Sequence, residues 1–391
     1  MIYPITLPHS VQRNLISNPP EGYKFNRSLD ELRTELSNSG KMKVKLSQNK
    51  LLKSIWEFSK KFHNPILKRY ESMKRINNSN LVKTSDLIFS GEILPTDKPY
   101  WIDLEHVRQL MGWDINLFKK NREWIADKLS EPNCRLITSW TKAGIDTVTQ
   151  NLPDSQRFRH KCYFVHNAVS SVKFKRKFSN KKDVTFLFMS SYDLPYDFNF
   201  KGGNVVLEAF SRMYARNKNI KLIVKAWVPE KIMKNYSSVT GIDFQGISPF
   251  SEMDKIFKQC DIFMSPNHNT PAQAYLDCMN YSIPIITTDL WANSEIIKDN
   301  YNGLLIPKSK KVPYFFGNNI PASRSPAFNK AINEIDEELV KNLVNKAETL
   351  IDNWKLRKKL GENGKRELNS GEFSIKTRNL KYKKLLDKYF K

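Results

Sequence analysis

From residue 86 onward, short apolar runs alternate with amphipathic stretches. Leu87–Ser90 and Tyr100–Leu104 read as buried strands, followed by a helix over about 106–130. A strand at 134–138, a helix to about 150 and a strand at 162–165 continue the pattern. The second half repeats it more cleanly. The runs VTFLFMS (184–190), KLIVKAWV (221–228), a shorter one at 242–246, DIFMSP (261–266), IPIITT (283–288) and NGLLIP (302–307) are strand candidates. Between them lie a helix over 201–216 with Val206, Phe210 and Met213 on one face, helices at 250–259 and from Thr270-Pro271, and a capped helix at 293–298. Strands and helices of these lengths in alternation predict parallel sheets with right-handed crossovers.

The rest of the chain is organised differently. The polar, basic run SSVKFKRKFSNKKD (170–183) has no apolar period and reads as a linker between two doubly wound α/β halves. Ligands in such folds bind beyond the carboxyl ends of the strands, which places the expected site in a cleft between the halves. Residues 1–85 yield less: a strand at 2–7, a turn at Asn18-Pro19-Pro20-Glu21-Gly22, and amphipathic basic helices around 28–38 and 48–73. Helices rich in lysine close the chain.

Composition narrows the class. With 391 residues, 40% of them hydrophobic, the chain can bury cores for two domains. No apolar run approaches the ~18 residues of a membrane span, and MIYPITLPHS lacks the layout of a secretion signal. Cys134, Cys162, Cys260 and Cys278 lie far apart without a CxxC pair, which suits buried thiols in a reducing cytoplasm better than disulfides or zinc. The net charge of +24 is uneven: residues 1–100 carry 17 basic and 9 acidic side chains, and residues 251–300 carry 3 and 7. Such a surface attracts anionic lipid, nucleic acid or phosphorylated substrates, and it equally suits a solvated lysine-rich exterior.

Three loops of the second half suit a phosphorylated ligand. Lys201-Gly202-Gly203 stands where a helix begins: glycine lets backbone approach a ligand, the helix end offers free N–H groups, and Lys201 adds a charge. In SPNHNTPAQAYLDCMN, Thr270 reads as N-cap, Pro271 as the first helical residue and Ala272 as the next. Asn269 precedes that cap, and Asp277 lies two turns into the helix, where both can meet sugar hydroxyls. The third loop, Gln245-Gly246-Ile247-Ser248, suits a flat base held by backbone groups. Plainer readings stand beside these: glycine as a cap, Asn269 as a turn former, Asp277 on a solvated face.

These motifs resemble the donor-binding domain of GT-B glycosyltransferases, in particular the retaining family 4. FLFMSSYD…FKGGNVVLEAF is similar to that family's strand, KG turn and helix. FQGISPFSEMDKIFKQCDIFMSP is similar to its G-loop, helix and strand, and AYLDCMNYSIPIITTDLWANSEIIKDNYNGLLIP to its LEAMA…NGLL signature. The resemblance spans 184–390, is looser over 86–175, and does not reach 1–85. It implies an acceptor-side domain over 1–169, a linker over 170–183, a donor domain over 184–370, and a helix over 371–391 that crosses back to the first domain.

By the same resemblance, Asn269 and Asp277 stand where the family carries two glutamates, the first touching the donor sugar and the second the ribose. Ser191 replaces an arginine that accompanies the lysine on the diphosphate, and Lys225 or Lys231 are candidate substitutes. Glu105, with His106 beside it, falls where many members carry a histidine in the cleft. Its carboxylate suits positioning of the acceptor hydroxyl or uptake of its proton, against a plain helix start with an exposed histidine. Glu295 matches a glutamate that braces a loop.

The implied activity is transfer of a sugar from a nucleotide-diphosphate sugar to a glycan or lipid-linked acceptor, with retention and without a metal or other cofactor. Lys201, Asn269 and Glu105 are the expected catalytic residues; Gly202, Gly203, Ile247, Thr270, Pro271, Ala272 and Asp277 are the expected donor contacts. A cytoplasmic protein resting on anionic membrane is the expected setting. A nucleotide-sugar or glycan binder without turnover, and a transferase acting on nucleic acid, are the alternatives.

Overall fold

The computed structural model describes residues 1–4, 10–26, 80–94, 96–180, 183–190, 195–246, 250–323 and 325–391. The helices expected around 28–38 and 48–73 lie outside the described residues. The chain divides into two compact units, one formed by Met1–Ala168 with Ile375–Lys391, the other by Val169–Ser374.

The first unit is built on a five-stranded parallel sheet: β1 (Ile2–Pro4), β2 (Leu87–Ser90), β3 (Tyr100–Leu104), β4 (Cys134–Ser139) and β5 (Cys162–Phe164), in that spatial order. Strand β3 is buried at every position, as expected where both faces of a parallel sheet are covered. Its Trp101 packs against Phe89 and Tyr382 at ring distances of 4.4 and 4.9 Å, and its indole N–H donates to Thr138 Oγ1 at 2.6 Å. Thr138 in turn donates to Asp103 at 2.7 Å, so the one polar atom of that large ring is satisfied within the core. Tyr382, Leu385 and Leu386 of the last helix, Ile375–Phe390, complete this core with Ile2, Leu87 and Leu136.

One expectation for this unit needs correction, and one element was unforeseen. The helix predicted over 106–130 is three pieces: a 3-10 turn Val107–Met111 and helices Ile115–Lys120 and Arg122–Ser130. Gly112 and Trp113 both adopt left-handed backbone, at φ 61° and 71°, which ends the first piece. Asp114 then caps the second by accepting from the N–H groups of Asn116 and Leu117. Helix Ser10–Ser17 was not expected at all.

The second unit carries a six-stranded parallel sheet. Its strands are β6 (Val184–Met189), β7 (Ile220–Lys225), β8 (Ile242–Phe244), β9 (Ile262–Ser265), β10 (Ile285–Asp289) and β11 (Gly303–Pro307), ordered β11-β10-β9-β6-β7-β8. The two-residue period assigns alternate side chains to opposite faces. Phe186, Phe188, Leu222, Val224, Ile262 and Met264 meet helices Gly203–Arg216 and Glu337–Asp352. Leu187, Ile223 and Phe263 meet helices Phe250–Gln259 and Ala272–Asn280 on the other side. The chain starts in the middle of the sheet, runs outward through β7 and β8, then returns to β9 and runs the other way. The strand order therefore reverses between β6 and β9.

The basic segment read as a linker has no helix or strand at its described positions, and it is strapped to the second unit. The Arg176 guanidinium donates to the carbonyls of Tyr281 and Phe257, at 2.8 and 2.6 Å, and Val172 N–H donates to Asn280 Oδ1 at 2.9 Å. The helix expected at 293–298 is shorter, Asn293–Ile296, and has no side-chain cap. Beyond β11 an unexpected hairpin forms from β12 (Phe315–Phe316) and β13 (Ile320–Pro321), turned by Gly317 and Asn319 in left-handed backbone.

Leu386→Ala tests how far the last helix belongs to the first unit's core. Removing this fully buried side chain should lower stability by about 2–5 kcal/mol in urea unfolding, whereas a loss below about 0.5 kcal/mol would mark the helix as peripheral.

Candidate functional site

Strands β6 and β9 flank the point where the strand order reverses, and ligands of open parallel sheets bind outside the carboxyl ends there. The loop after β6 ends in Lys201-Gly202-Gly203, and the loop after β9 holds Asn267 to Pro271. The two loops touch. Gly202 has φ 78°, and a Cβ there would sit 2.4 Å from the Pro266 carbonyl oxygen, so only glycine fits. His268 N–H donates to the Phe200 carbonyl at 3.1 Å. The Lys201 ammonium donates to Asn269 Oδ1 at 3.0 Å, which brings two residues predicted from sequence into direct contact. A neutral amide in that place orients the ammonium without cancelling its charge. Gly203 begins helix Gly203–Arg216, and the cap residue Gly202 supplies no side-chain acceptor to that helix end.

Helix Ala272–Asn280 starts one residue later than expected. Pro271 is its cap, with non-helical ψ of 63°, and the first intrahelical bond runs from Tyr275 N–H to the Pro271 carbonyl. Thr270 therefore lies outside the cap position, and no side chain caps this end. The first N–H groups, of Ala272, Gln273 and Ala274, precede that bond, and they carry the positive end of the helix dipole. Pro271 has no N–H to offer and acts only by shaping the turn.

One face of this helix has polar groups left without partners. Thr270 Oγ1 and Gln273 Oε1 are buried and make no hydrogen bond. The Gln273 amide donates to Asp277 Oδ1 at 2.8 Å. Burial pushes the Asp277 carboxyl up to about 7, against the lowering effect of the Gln273 hydrogen bond. Near neutral pH this group is thus divided between a donor and an acceptor form. Buried polar atoms without partners are uncommon in folded proteins; three adjacent side chains with spare or switchable capacity suit a hydroxylated ligand.

An aromatic cluster holds the two loops from behind. His268 Nδ1 pairs with the Tyr314 hydroxyl at 2.9 Å and the rings stack; burial lowers the His268 pKa to about 4 and keeps it neutral. Phe328 meets Tyr314 and Phe200 edge-on, at 6.2 and 5.9 Å. Tyr314, Phe328 and Gln273 were not singled out from the sequence. Their only signal was aromatic density after NGLLIP and a polar residue on an otherwise apolar helix.

The remaining candidates separate. Ile247 and Ser191 lie outside the described residues. Lys225 ends β7 with its side chain buried, and burial lowers its pKa; Lys231 is exposed on helix Glu230–Asn235. Glu295 is half-buried in the first turn of helix Asn293–Ile296. In the first unit, Glu105 follows the carboxyl end of β3, half-buried, its N–H donating to Gln109 Oε1 at 2.8 Å. The exposed histidine of the plainer reading is overturned. His106 is buried, accepts from Arg108 N–H at 3.3 Å, and lies edge-on to Trp113. Burial, with Arg108 nearby, lowers its pKa to about 3, so it serves as a neutral cap. Among the described residues no group of three or more His, Cys, Asp or Glu side chains is arranged to hold a metal ion.

Comparison with known proteins fits this geometry. Residues 183–315 match the family model described as Glycosyl transferases group 1. An uncharacterized glycosyltransferase of Methanocaldococcus jannaschii is 24% identical over 324 residues, which cover 78% of each chain. Among solved structures, Anabaena Alr3699/HepE in complex with UDP and glucose matches with a TM-score of 0.55 at 10% identity, over 77% of each chain. A glycosyltransferase from Rickettsia africae matches with a TM-score of 0.54 at 12% identity, over 84% of this chain and 83% of that one. The fold is GT-B, with two Rossmann-like parallel-sheet units.

The Asp277 carboxyl gives a pH test. Its native pKa of about 7 lies above the unfolded value of about 3.9, so the native state holds the proton more tightly between those limits. The contribution of this group to stability then falls as pH rises from about 4 to 7 and levels off above. Asp277→Asn should remove that component, and urea unfolding of both proteins across this range should converge least at pH 7. Parallel profiles would show an ordinary, solvated carboxylate.

Proposed function

We propose that the chain transfers a sugar from a nucleotide-diphosphate sugar to an acceptor hydroxyl, with the diphosphate held at the junction of the β6 and β9 loops. The observation that supports this reading best is the Lys201–Asn269 contact beside the uncapped start of helix Ala272–Asn280. One glycine-dependent backbone approach, at Gly202, one ammonium and several N–H groups meet where an anion binds well. The match of this unit to group 1 glycosyltransferases, and the UDP held by the Anabaena structure, supply the donor class.

In this reaction the bond from the anomeric carbon to the β-phosphate oxygen breaks, and negative charge builds on the departing diphosphate. Lys201 and the N–H groups of Ala272 and Gln273 stabilise that charge from fixed positions, which costs no reorganisation during the step. They do the work that a cation does elsewhere, and we read the transfer as metal-independent. The acceptor oxygen bonds the anomeric carbon, and its proton passes to the leaving phosphate oxygen. Retention of configuration follows from the resemblance to family 4. Asn269 orients Lys201 and meets the sugar; Thr270, Gln273 and Asp277 receive ribose hydroxyls. Glu105, beyond the carboxyl end of β3, is our candidate for positioning an acceptor hydroxyl. The basic helices Trp354–Asn369 and Ile375–Phe390 favour a lipid-linked or cell-surface saccharide as acceptor. No described helix is long and apolar enough to cross a membrane, so this contact would be peripheral.

A second reading has one observation in its favour. An amide stands at 269 where the resemblance implies a carboxylate, which suits a protein that binds a nucleotide sugar without turning it over. Release of free nucleotide from a panel of nucleotide sugars separates the two: slow release supports an enzyme, and tight binding with none supports a binder.

Lys201→Ala should lower turnover by roughly 10²-fold or more, the usual effect of removing one such contact; full activity would remove the phosphate role. Asp277→Ala should weaken binding of the free nucleoside diphosphate in calorimetry while leaving inorganic pyrophosphate binding unchanged. Equal loss for both ligands would contradict a ribose contact.

A further inference from the structure

The second unit contains a pocket of about 830 Å³ that the diphosphate site does not use. Its floor is the end of β11, Leu305 to Pro307, with Val312. Tyr314 and Phe315 of the hairpin segment form an aromatic wall, and Asp289, Lys308 and Lys310 stand at the rim. The volume lies within the ~300–1,000 Å³ range of small-molecule sites and accommodates one or two sugar rings.

The lining chemistry is specific. An aromatic wall packs the C–H face of a pyranose ring, and a carboxylate at the end of β10 accepts hydroxyl hydrogens. Asp289 is exposed and makes no ion pair among the described residues. Of the two rim lysines, Lys310 is paired with Glu338 at 2.9 Å. Lys308 makes no ion pair among the described residues; its ammonium lies 5.5 Å from the Phe315 ring centre. One cation on the aromatic wall therefore lacks a protein carboxylate. The pocket also shares a wall with the site already described. Tyr314, which lines it, holds His268 through its hydroxyl, and the next residue, Asn269, holds Lys201.

We propose that this pocket is a saccharide subsite that prefers a sugar bearing an anionic group, carboxylate or phosphate, with Phe315 against the ring, Asp289 on its hydroxyls and Lys308 on the anion. It rests on the glycosyltransferase reading only for the source of that sugar, as part of the acceptor glycan. The hairpin creates the pocket, and its Tyr314–His268 hydrogen bond links occupancy to the position of Asn269.

The test titrates the full-length protein with glucuronic acid, glucose 6-phosphate and glucose, observed by saturation-transfer NMR, with UDP binding measured separately by calorimetry. At least one of the two anionic sugars should bind more tightly than glucose, and the pair identifies which anion is preferred. Lys308→Ala should weaken that binding at least ten-fold and Phe315→Ala should abolish it, while UDP affinity stays within two-fold of wild type. Lys308 is exposed, so its variant reports on the subsite even if Phe315→Ala folds poorly. Equal binding of all three sugars, no binding of any, or indifference to Lys308→Ala would overturn the subsite. Absence of UDP binding alongside Lys308-dependent sugar binding would overturn the donor reading and leave the subsite standing.

Discussion

The close approach of two loops, made possible by a glycine without a side chain, governs the second unit. Gly202 presses against the Pro266 carbonyl, and His268 N–H takes the Phe200 carbonyl. Those two backbone contacts set Lys201 beside Asn269. Neither contact would exist without the reversal of strand order between β6 and β9, which brings the ends of two strands far apart in sequence next to each other. The helix that begins at Ala272, three residues past Asn269, leaves its first N–H groups without a side-chain cap. Topology sets the location, and glycine backbone sets the distance.

Helix Ala272–Asn280 carries both satisfied and unsatisfied buried polar groups. Tyr275, deep in the core, shares its hydroxyl with Thr287 and Asn293, and Asn293 also reaches the Thr288 carbonyl. One turn away, Thr270 Oγ1 and Gln273 Oε1 have no partner. An unsatisfied buried polar atom costs about 1–3 kcal/mol, and a ligand that satisfies it recovers part of that cost on binding. The contrast along one helix separates its structural face from its binding face. Asp277, desolvated yet next to these atoms, belongs to the binding face.

Much of this was legible in the sequence, for physical reasons that can be stated. VTFLFM and IIT are buried on both faces, so their apolar continuity survives in any parallel sheet. The Lys-Gly-Gly turn was legible as a helix start, and Gly202 is indeed the cap residue, in left-handed backbone. What escaped was set by tertiary context. The 107–130 stretch keeps a helical period through Gly112, and only the spacing of Gly112 and Asp114 marks a stop and restart. Thr270 before Pro271 has the usual form of a cap, yet the chain leaves Pro271 non-helical and Thr270 unbonded. The hairpin strands are two residues each, too short for any period, and are held by Tyr314 and Phe328 rather than by their own pattern. The sequence presents Asp277 as a ribose contact, with a solvated face as the plainer alternative; the desolvation that raises its pKa comes from neighbours in space.

The most direct measurement is a crystal structure of the protein with UDP. The β-phosphate should lie within hydrogen-bonding reach, about 2.7–3.2 Å, of Lys201 Nζ and of the N–H groups that open the helix at Ala272. Phosphate density at any other place on the second unit, with these groups left to solvent, would contradict the assignment.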